Sequence, residues 1–285
     1  MKIIRLPHAM SRWSDRLRRE GVTIGLVPTM GALHDGHRAL IKAARLQCDA
    51  LVVSIFVNPT QFSPNEDLSR YPRPIAKDRA LCRGEGVDVC FEPDAGAMYP
   101  EGFQTIVTVP VVAQHWEGAS RPHHFAGVAT VVTKLFSIVR PHVTLFGQKD
   151  FQQAALIRRL IRDLNLGIDL IVPDTIREPD GLAMSSRNIY LTPFQRRAAP
   201  TFHQALLIGR TAVETGLRDS RSIEQRMRHV IGREPTMSVD YLAICDPETL
   251  EPLTRIERRA VILGAVRIGS VRLLDNMMVA VKPRR

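Results

Sequence analysis

The stretch Thr23-Ile24-Gly25-Leu26-Val27-Pro28-Thr29-Met30-Gly31-Ala32-Leu33-His34-Asp35-Gly36-His37 decides how the chain is read. Ile24, Leu26 and Val27 form an apolar run of strand length. Pro28 cannot donate to a sheet ladder, so the strand is expected to end there. Gly31 and Gly36 permit backbone shapes and close approaches that a Cβ would block. From His37 onward Leu40, Ile41 and Ala44 recur at helical spacing. The two histidines, at i and i+3, fall on one face of that helix's first turn. A helix N-terminus offers unpaired N–H groups and a positive dipole end, which suit a phosphate. Imidazoles placed there hydrogen-bond a phosphate or give it a proton as charge leaves. Read alone, His-x-Gly-His is equally consistent with two ordinary polar residues at a helix start; the strand before it and the helix after it supply the context for a site.

Working outward, the same alternation repeats. Lys2 to Leu6 reads as a short strand and Met10 to Arg19 as a basic helix. Ala50 to Val57 is a near-continuous apolar run, as in a strand buried on both faces of a parallel sheet. A loop rich in turn formers is expected over residues 59–74, a helix over 75–85 and a strand over 87–91. Residues 92–123 read as irregular around a strand near Thr105 to Val109. A helix is expected over 124–139, a strand over 143–146, a helix over 151–163 and a strand over 168–172. Alternating βα units of this kind predict a Rossmann-like, doubly wound parallel sheet. Beyond about residue 175 the pattern changes. Residues 193–231 are helical and Arg-rich, and strands are expected near 240–244, 260–266 and 271–276. The expected organisation is an α/β nucleotide-binding domain over 1–175 and a smaller α+β domain over 176–285.

Three further stretches carry chemistry. Asn58-Pro59-Thr60-Gln61-Phe62 follows the second main strand; Asn58 and Gln61 suit hydroxyls and a carboxylate, and Asn58-Pro59 is also ordinary turn chemistry. Gly147-Gln148-Lys149-Asp150-Phe151-Gln152-Gln153 opens a helix. Its Lys149 is a point charge suited to phosphate oxygens, and Asp150 is equally a helix cap. In Gly181-Leu182-Ala183-Met184-Ser185-Ser186-Arg187-Asn188, two hydroxyls and an arginine suit a pyrophosphate.

The 285 residues carry a formal net charge of +10, spread without a long basic run. That suits anionic substrates such as ATP. The Arg-rich C-terminal part lacks the aromatic–basic interleaving of single-strand binders, so no nucleic-acid partner is expected. No window approaches the length of an apolar membrane span, and the first residues do not resemble a signal peptide, so no membrane partner and a cytoplasmic location are expected. Cys48, Cys82, Cys90 and Cys245 form no Cys-x-x-Cys pair, which points away from a zinc or redox motif.

The first stretch resembles the His-x-Gly-His signature of the nucleotidylyl-transferase superfamily, which includes the class I aminoacyl-tRNA synthetases. The longer string Pro28-Thr29-Met30-Gly31-Ala32-Leu33-His34-x-Gly36-His37 resembles more specifically the pantothenate synthetase (pantoate–β-alanine ligase) family. Asn-Pro-x-Gln-Phe, Gly-x-Lys-Asp-x-x-Gln and Gly-Leu-Ala-Met-Ser-Ser-Arg-Asn resemble further motifs of that family in the same order. Arg121-Pro122-x-His124-Phe125-x-Gly127-Val128 and Arg272-Leu273-Leu274-Asp275-Asn276 agree with it too, so the resemblance runs from about residue 20 to residue 276.

The resemblance implies an ATP-dependent ligase that joins pantoate to β-alanine through a pantoyl adenylate, releasing pyrophosphate and AMP. It places ATP against Met30, Gly31, Ala32, Leu33, His34, Asp35, Gly36 and His37, against Gly147, Gln148, Lys149 and Asp150, and against Ile176, Met184, Ser185, Ser186 and Arg187. It gives His37, His34 and Lys149 catalytic roles, with His37 the proton donor to the departing pyrophosphate. It places pantoate and β-alanine on Gln61 and pantoate on Gln153, with Asn58 also among the substrate-binding residues, and it implies a homodimer. One segment departs from the family. Where members often carry an acidic run linked to magnesium, this chain has Pro74-Ile75-Ala76-Lys77-Asp78. The expectation is therefore magnesium held by ATP oxygens and water, with no metal ligand from the protein. The alternatives are an adenylyltransferase with another acceptor, which has no need of the two glutamines, and an RNA-binding relative of the synthetases.

Overall fold

The computed structural model describes residues 1–63 and 66–281. It divides into two compact units: Met1–Gly147 with Leu156–Asp174, and Gln148–Ala155 with the chain from Thr175 onward.

The first unit contains β1 (Lys2–Ile4), α1 (Pro7–Arg19), β2 (Ile24–Thr29), α2 (Asp35–Arg45), β3 (Ala50–Ile55), α3 (Ile75–Gly84), β4 (Val89–Phe91), α4 (Ala95–Met98), α5 (Glu117–Ser120), α6 (His124–Val139), β5 (Val143–Leu145), the later turns of α7 (Phe151–Asp163), and β6 (Asp169–Ile171). The six strands form one sheet in the order β1-β4-β3-β2-β5-β6, every pairing parallel. This is the doubly wound parallel sheet expected from the alternation of elements. The order turns back at β2 and β5, and ligands of such sheets bind beyond the carboxyl ends of the strands at that reversal. The segments that begin at Met30 and at Phe146 leave the sheet there.

Side chains alternate across β2 and β3. Val27, Leu51 and Val53 join Ile41 and Ala44 of α2 and Cys82 of α3 in one core layer. Ile24, Leu26 and Val52 are fully buried on the opposite face, on the side where α1 and α6 pack together and against β2. β3 is buried throughout and β2 is buried except at the half-buried Pro28, which is why their sequences read as near-continuous apolar runs.

Two local expectations need correcting, at Pro28 and at residues 105–109. β2 continues through Pro28, which stands opposite Ser54 of β3. Its nitrogen is directed to the β5 side, where pairing has already stopped at Leu26 opposite Thr144, so no ladder bond is lost. Residues 105–109 form no strand. Ile106 is 72% exposed, and the segment is tied to α6 by the Val107 N–H, which donates to Thr130 Oγ1 at 3.0 Å. Alternation without a buried face does not make a strand. The loop over 59–74 contains single 3-10 turns at Pro59–Gln61 and Asp67–Ser69; Pro64 and Asn65 lie outside the described residues.

The second unit carries α8 (Pro193–Ala198), α9 (Pro200–Glu214) and α10 (Ser220–Ile231), then β7 (Met237–Cys245), β8 (Arg259–Ile268) and β9 (Val271–Ala280). The strands form an antiparallel meander with an irregularity in β7 between Val239 and Tyr241. Phe202 and Leu206 of α9, Ile223 and Met227 of α10 and Ile262 of β8 share its core. No helix among the described residues is long and apolar enough to cross a membrane.

Candidate active site

The turn after β2 is built from backbone bonds to side chains. Thr29 Oγ1 donates to the Ser54 carbonyl at 2.7 Å and accepts the Gly31 N–H at 3.2 Å. Gly31 and Ala32 then take positive φ angles of 79° and 50°. A glycine tolerates this region; an alanine is strained there and needs support. Support comes from Asp78, on the first turn of α3. Its Oδ2 accepts the Ala32 N–H at 2.9 Å and its Oδ1 accepts the Leu33 N–H at 2.8 Å. Burial pushes the Asp78 carboxyl above its ordinary range, against the opposing pull of these two amides.

α2 begins directly afterwards. His34 is its N-cap, and its Nδ1 accepts the Gly36 N–H at 3.1 Å. His37, three residues on, accepts the His34 N–H through its own Nδ1 at 3.3 Å. The two rings lie 4.1 Å apart between centroids. This is a capping box made of two imidazoles. A ring nitrogen that accepts a hydrogen bond carries no proton, so each neutral ring holds its proton on Nε2. Both histidines therefore present Nε2 donors at a helix N-terminus.

Gln61 is held in the same unit by a dense set of bonds. Its Nε2 approaches Met30 Sδ at 2.8 Å, and its Oε1 accepts from Asn58 Nδ2 at 3.1 Å. Asn58 is 1% exposed. Its Nδ2 also donates to the Gly127 carbonyl at 3.1 Å, and its Oδ1 accepts from the Tyr99 hydroxyl at 2.8 Å. Asn58 thus acts on Gln61 from behind. The Gln61 carbonyl accepts from Arg121 Nη2 at 3.1 Å and faces His124 Nδ1 at 2.9 Å. A carbonyl only accepts, so His124 carries its proton on Nδ1. Arg121 in turn grips Glu66 through two bonds of 2.7 and 2.6 Å. Burial, with Arg121 adding to it, pushes His124 down to about 4.

In the second unit, Gln148–Asp150 form a 3-10 turn that leads into α7. Asn276, 1% exposed on β9, fixes it: Nδ2 donates to the Gln148 and Lys149 carbonyls at 2.8 and 2.9 Å, and Oδ1 accepts from Gln148 Nε2 at 3.2 Å. Lys149 Nζ lies 3.4 Å from Asp150 Oδ1. Gln153, two residues into α7, is half-buried.

Ile176 and Met184 are brought side by side: the Met184 N–H donates to the Ile176 carbonyl at 3.0 Å, and Arg177 bridges Ala183. Ser185 caps the short turn that follows, accepting the Arg187 N–H at 3.2 Å. Ser186 and Arg187 lie in that turn, half-buried. The base of this loop is ionic. Arg177 makes two bonds to Asp275, of 2.6 and 2.9 Å. Arg196 pairs with Glu178 and Asp180, and its hydrogen bonds hold Asp180 below the ordinary carboxylate range.

Each stretch singled out in the sequence lies on a turn or at a helix start, as its chemistry requires. Sequence reasoning missed Tyr99 and Glu66 altogether, and it quoted Asp78 and Asp275 without the Ala32 and Leu33 amides and the Arg177 guanidinium that they hold. Asn276 and Arg121 sat within quoted motifs, but nothing in their spacing said which backbone groups they would hold.

The family model for pantoate-beta-alanine ligase matches residues 2–278. A curated pantothenate synthetase of Moorella thermoacetica is 48% identical over 281 residues, covering 99% of this chain and 99% of that protein. One from Desulfatibacillum aliphaticivorans is 50% identical over 276 residues, covering 97% of this chain and 98% of its own length. The crystal structure of pantothenate synthetase from Thermus thermophilus superposes with a TM-score of 0.91 at 44% identity, over 97% of this chain and 99% of that one. A pantoate-beta-alanine ligase from Francisella tularensis, complexed with beta-gamma ATP and beta-alanine, superposes with a TM-score of 0.79 at 35% identity, over 98% and 97% of the two chains. On this likeness across nearly its whole length, the chain belongs to the pantoate-beta-alanine ligase family.

Proposed function

We propose that this protein joins pantoate to β-alanine at the expense of ATP, giving pantothenate, AMP and pyrophosphate. The observation that carries the reading is the reciprocal His34/His37 cap, which sets two Nε2 donors at a helix N-terminus beyond β2, with Gln61 held against Met30 in the turn that leads into it. Membership of the family, and a family structure complexed with beta-gamma ATP and beta-alanine, support it.

In the first step the pantoate carboxylate attacks the α-phosphorus of ATP. The bond from that phosphorus to the bridging oxygen breaks, and pyrophosphate leaves. In the second step the β-alanine amine attacks the acyl carbon, the acyl–oxygen bond breaks, AMP leaves and the amine gives up a proton. No covalent intermediate on the protein is needed; the work is positioning and stabilising charge on phosphate. His34 and His37 donate Nε2 hydrogens to phosphate oxygens, His37 to the departing pyrophosphate. Lys149, Ser185, Ser186 and Arg187 serve the same charge, with Gly147, Gln148, Asp150, Ile176 and Met184 completing the nucleotide contacts. Gln61 and Gln153 hold pantoate and β-alanine, and Asn58 orients Gln61.

Magnesium enters as the ATP complex. Where the resemblance leads one to expect an acidic run the acidic side chain is Asp78, which is 2% exposed and turned to the backbone amides of Ala32 and Leu33; a buried, lone carboxylate so engaged does not fit a protein-held magnesium. The first unit supplies the histidine turn and Gln61, and the second carries the Met-Ser-Ser-Arg loop. A homodimer goes with the exposed apolar side chains of Ile106, on an irregular segment, and Val111, in the turn that follows it, 72% and 60% accessible. A cytoplasmic location goes with four free cysteines.

The test is AMP formation by purified protein with Mg·ATP, omitting pantoate or β-alanine in turn. AMP only with both acids, and a pantothenate product, is the expected result. No pantoate-dependent AMP or pyrophosphate would overturn the reading and leave the nucleotide turn serving another acceptor.

A further inference from the structure

Asp78 is 2% exposed, yet its two oxygens meet backbone from more than forty residues earlier, at Ala32 and Leu33. Those residues belong to a turn held in the left-handed region at Gly31 and Ala32. The fit is tight: a Cβ on Gly31 would lie 2.9 Å from Asp78 Oδ2 and 3.1 Å from Ile55 Cγ2. The carboxylate is itself anchored. Its neighbour Arg79 grips the buried Glu92 through Nε and Nη2 at 2.8 and 2.6 Å, tying the first turn of α3 to the residue after β4. The next residues after the clamped amides are His34 and the start of α2.

We infer that Asp78 is a positioning residue for the nucleotide turn: it fixes the Ala32 and Leu33 amides, sets the entry angle of α2, and so aims the His34 and His37 rings, rather than binding a metal ion. The two amides take one lone-pair site on each oxygen, and with Asp78 only 2% exposed a magnesium ion in its water shell has no open approach to the sites that remain. The inference rests on the reaction proposed above for the identity of the acceptor, and on the geometry alone for the clamp.

The experiment uses Asp78→Asn and Asp78→Ala, with the exposed neighbour Lys77→Ala as a control. Pantoate-dependent exchange of pyrophosphate into ATP is followed at increasing magnesium, and binding of α,β-methylene ATP is measured by calorimetry. Asp78→Asn keeps the shape but turns an NH2 toward a backbone N–H. Both variants are expected to lose about tenfold or more in exchange rate, with no recovery in excess magnesium. The same variants are expected to bind the analogue about tenfold more weakly. Lys77→Ala behaves as wild type. Should Asp78→Ala fail to fold, Asp78→Asn decides. Wild-type exchange in Asp78→Asn, or recovery in excess magnesium, would overturn the clamp while leaving the ligase reading intact. If the wild type shows no pantoate-dependent exchange, the ligase reading fails; weaker analogue binding by Asp78→Asn then still upholds the clamp, and unchanged binding overturns it.

Discussion

The Asn58 side-chain amide donates to the Gly127 carbonyl at 3.1 Å, and Gly127 leaves no room for anything larger at that crossing. A Cβ there would lie 2.3 Å from the Thr60 carbonyl oxygen and 2.7 Å from the Gln61 nitrogen. Both are backbone atoms and have no rotamer to escape into. Gly127→Ala is therefore expected to push the Pro59–Gln61 turn off α6 and displace Gln61. The expected readout is a rise of about tenfold in the KM for pantoate, with destabilisation of about 1–3 kcal/mol. An unchanged pantoate KM would remove Gln61 from the pantoate site.

The histidine cap separates two jobs that an alanine change would confuse. His34→Asn keeps an N-cap acceptor but lacks the Nε2 donor. Its melting temperature is expected to stay near wild type while pantoate-dependent AMP formation falls about a hundredfold. His37→Ala loses both donor and cap and is expected to fall in rate and in stability. A His34→Asn protein with full activity would show that the Nε2 donor does nothing.

Asp275 is nearly buried and holds Arg177 by two short bonds. Asp275→Ala strands the guanidinium without its carboxylate. The second unit is expected to lose about 3 kcal/mol, read as a lower urea midpoint by circular dichroism. Asp275→Asn, which keeps an acceptor for Arg177, is expected to lose less. Equal midpoints for Asp275→Ala and wild type would show the pair to be dispensable.

His124 gives the stability a pH dependence. Burial, then the Arg121 charge, lower its pKa from 6.5 to about 4, although the hydrogen bond to the Gln61 carbonyl, then Glu117 and Glu66, pull the other way. The folded state thus binds its proton less readily than the unfolded chain. The stabilisation is full above about pH 6.5 and drains away as pH falls toward about 4, amounting to about 2–3 kcal/mol for this partly exposed ring. Urea midpoints measured across that window check it. In His124→Gln the slope should flatten; an identical slope would assign the loss to other groups.

How much of this was legible in the sequence follows from what each level depends on. The parallel sheet was, because βα alternation and doubly apolar strands are local patterns. The His34, Gln61, Lys149 and Ser185 turns were, because turn chemistry and family motifs lie in short windows. Pro28 misled, because whether a missing N–H matters depends on how far the neighbouring strand runs. The segment 105–109 misled, because alternation says nothing about whether a face is covered. Asp78 read as the remnant of an acidic run. Only the fold brings it to Ala32 and Leu33, and no periodicity encodes a bond across so long a stretch of chain.

The large sheet ends in strands of three residues on both sides, β1 and β6. A short edge with Lys2 on one flank and Asp169 on the other offers few unpaired backbone groups in a row and places charge among them. Such an edge is a poor template for a foreign strand, so concentrated solutions of the folded protein should resist fibril growth from this sheet. The burden of keeping chains apart then falls on the three-stranded meander, whose outer strands run nine and ten residues. Its irregularity at Val239 and Tyr241 breaks the straight run of one of them. Smoothing that irregularity would lengthen an adhesive border, and shelf life in concentrated stock, more than catalysis, is where the change would be felt.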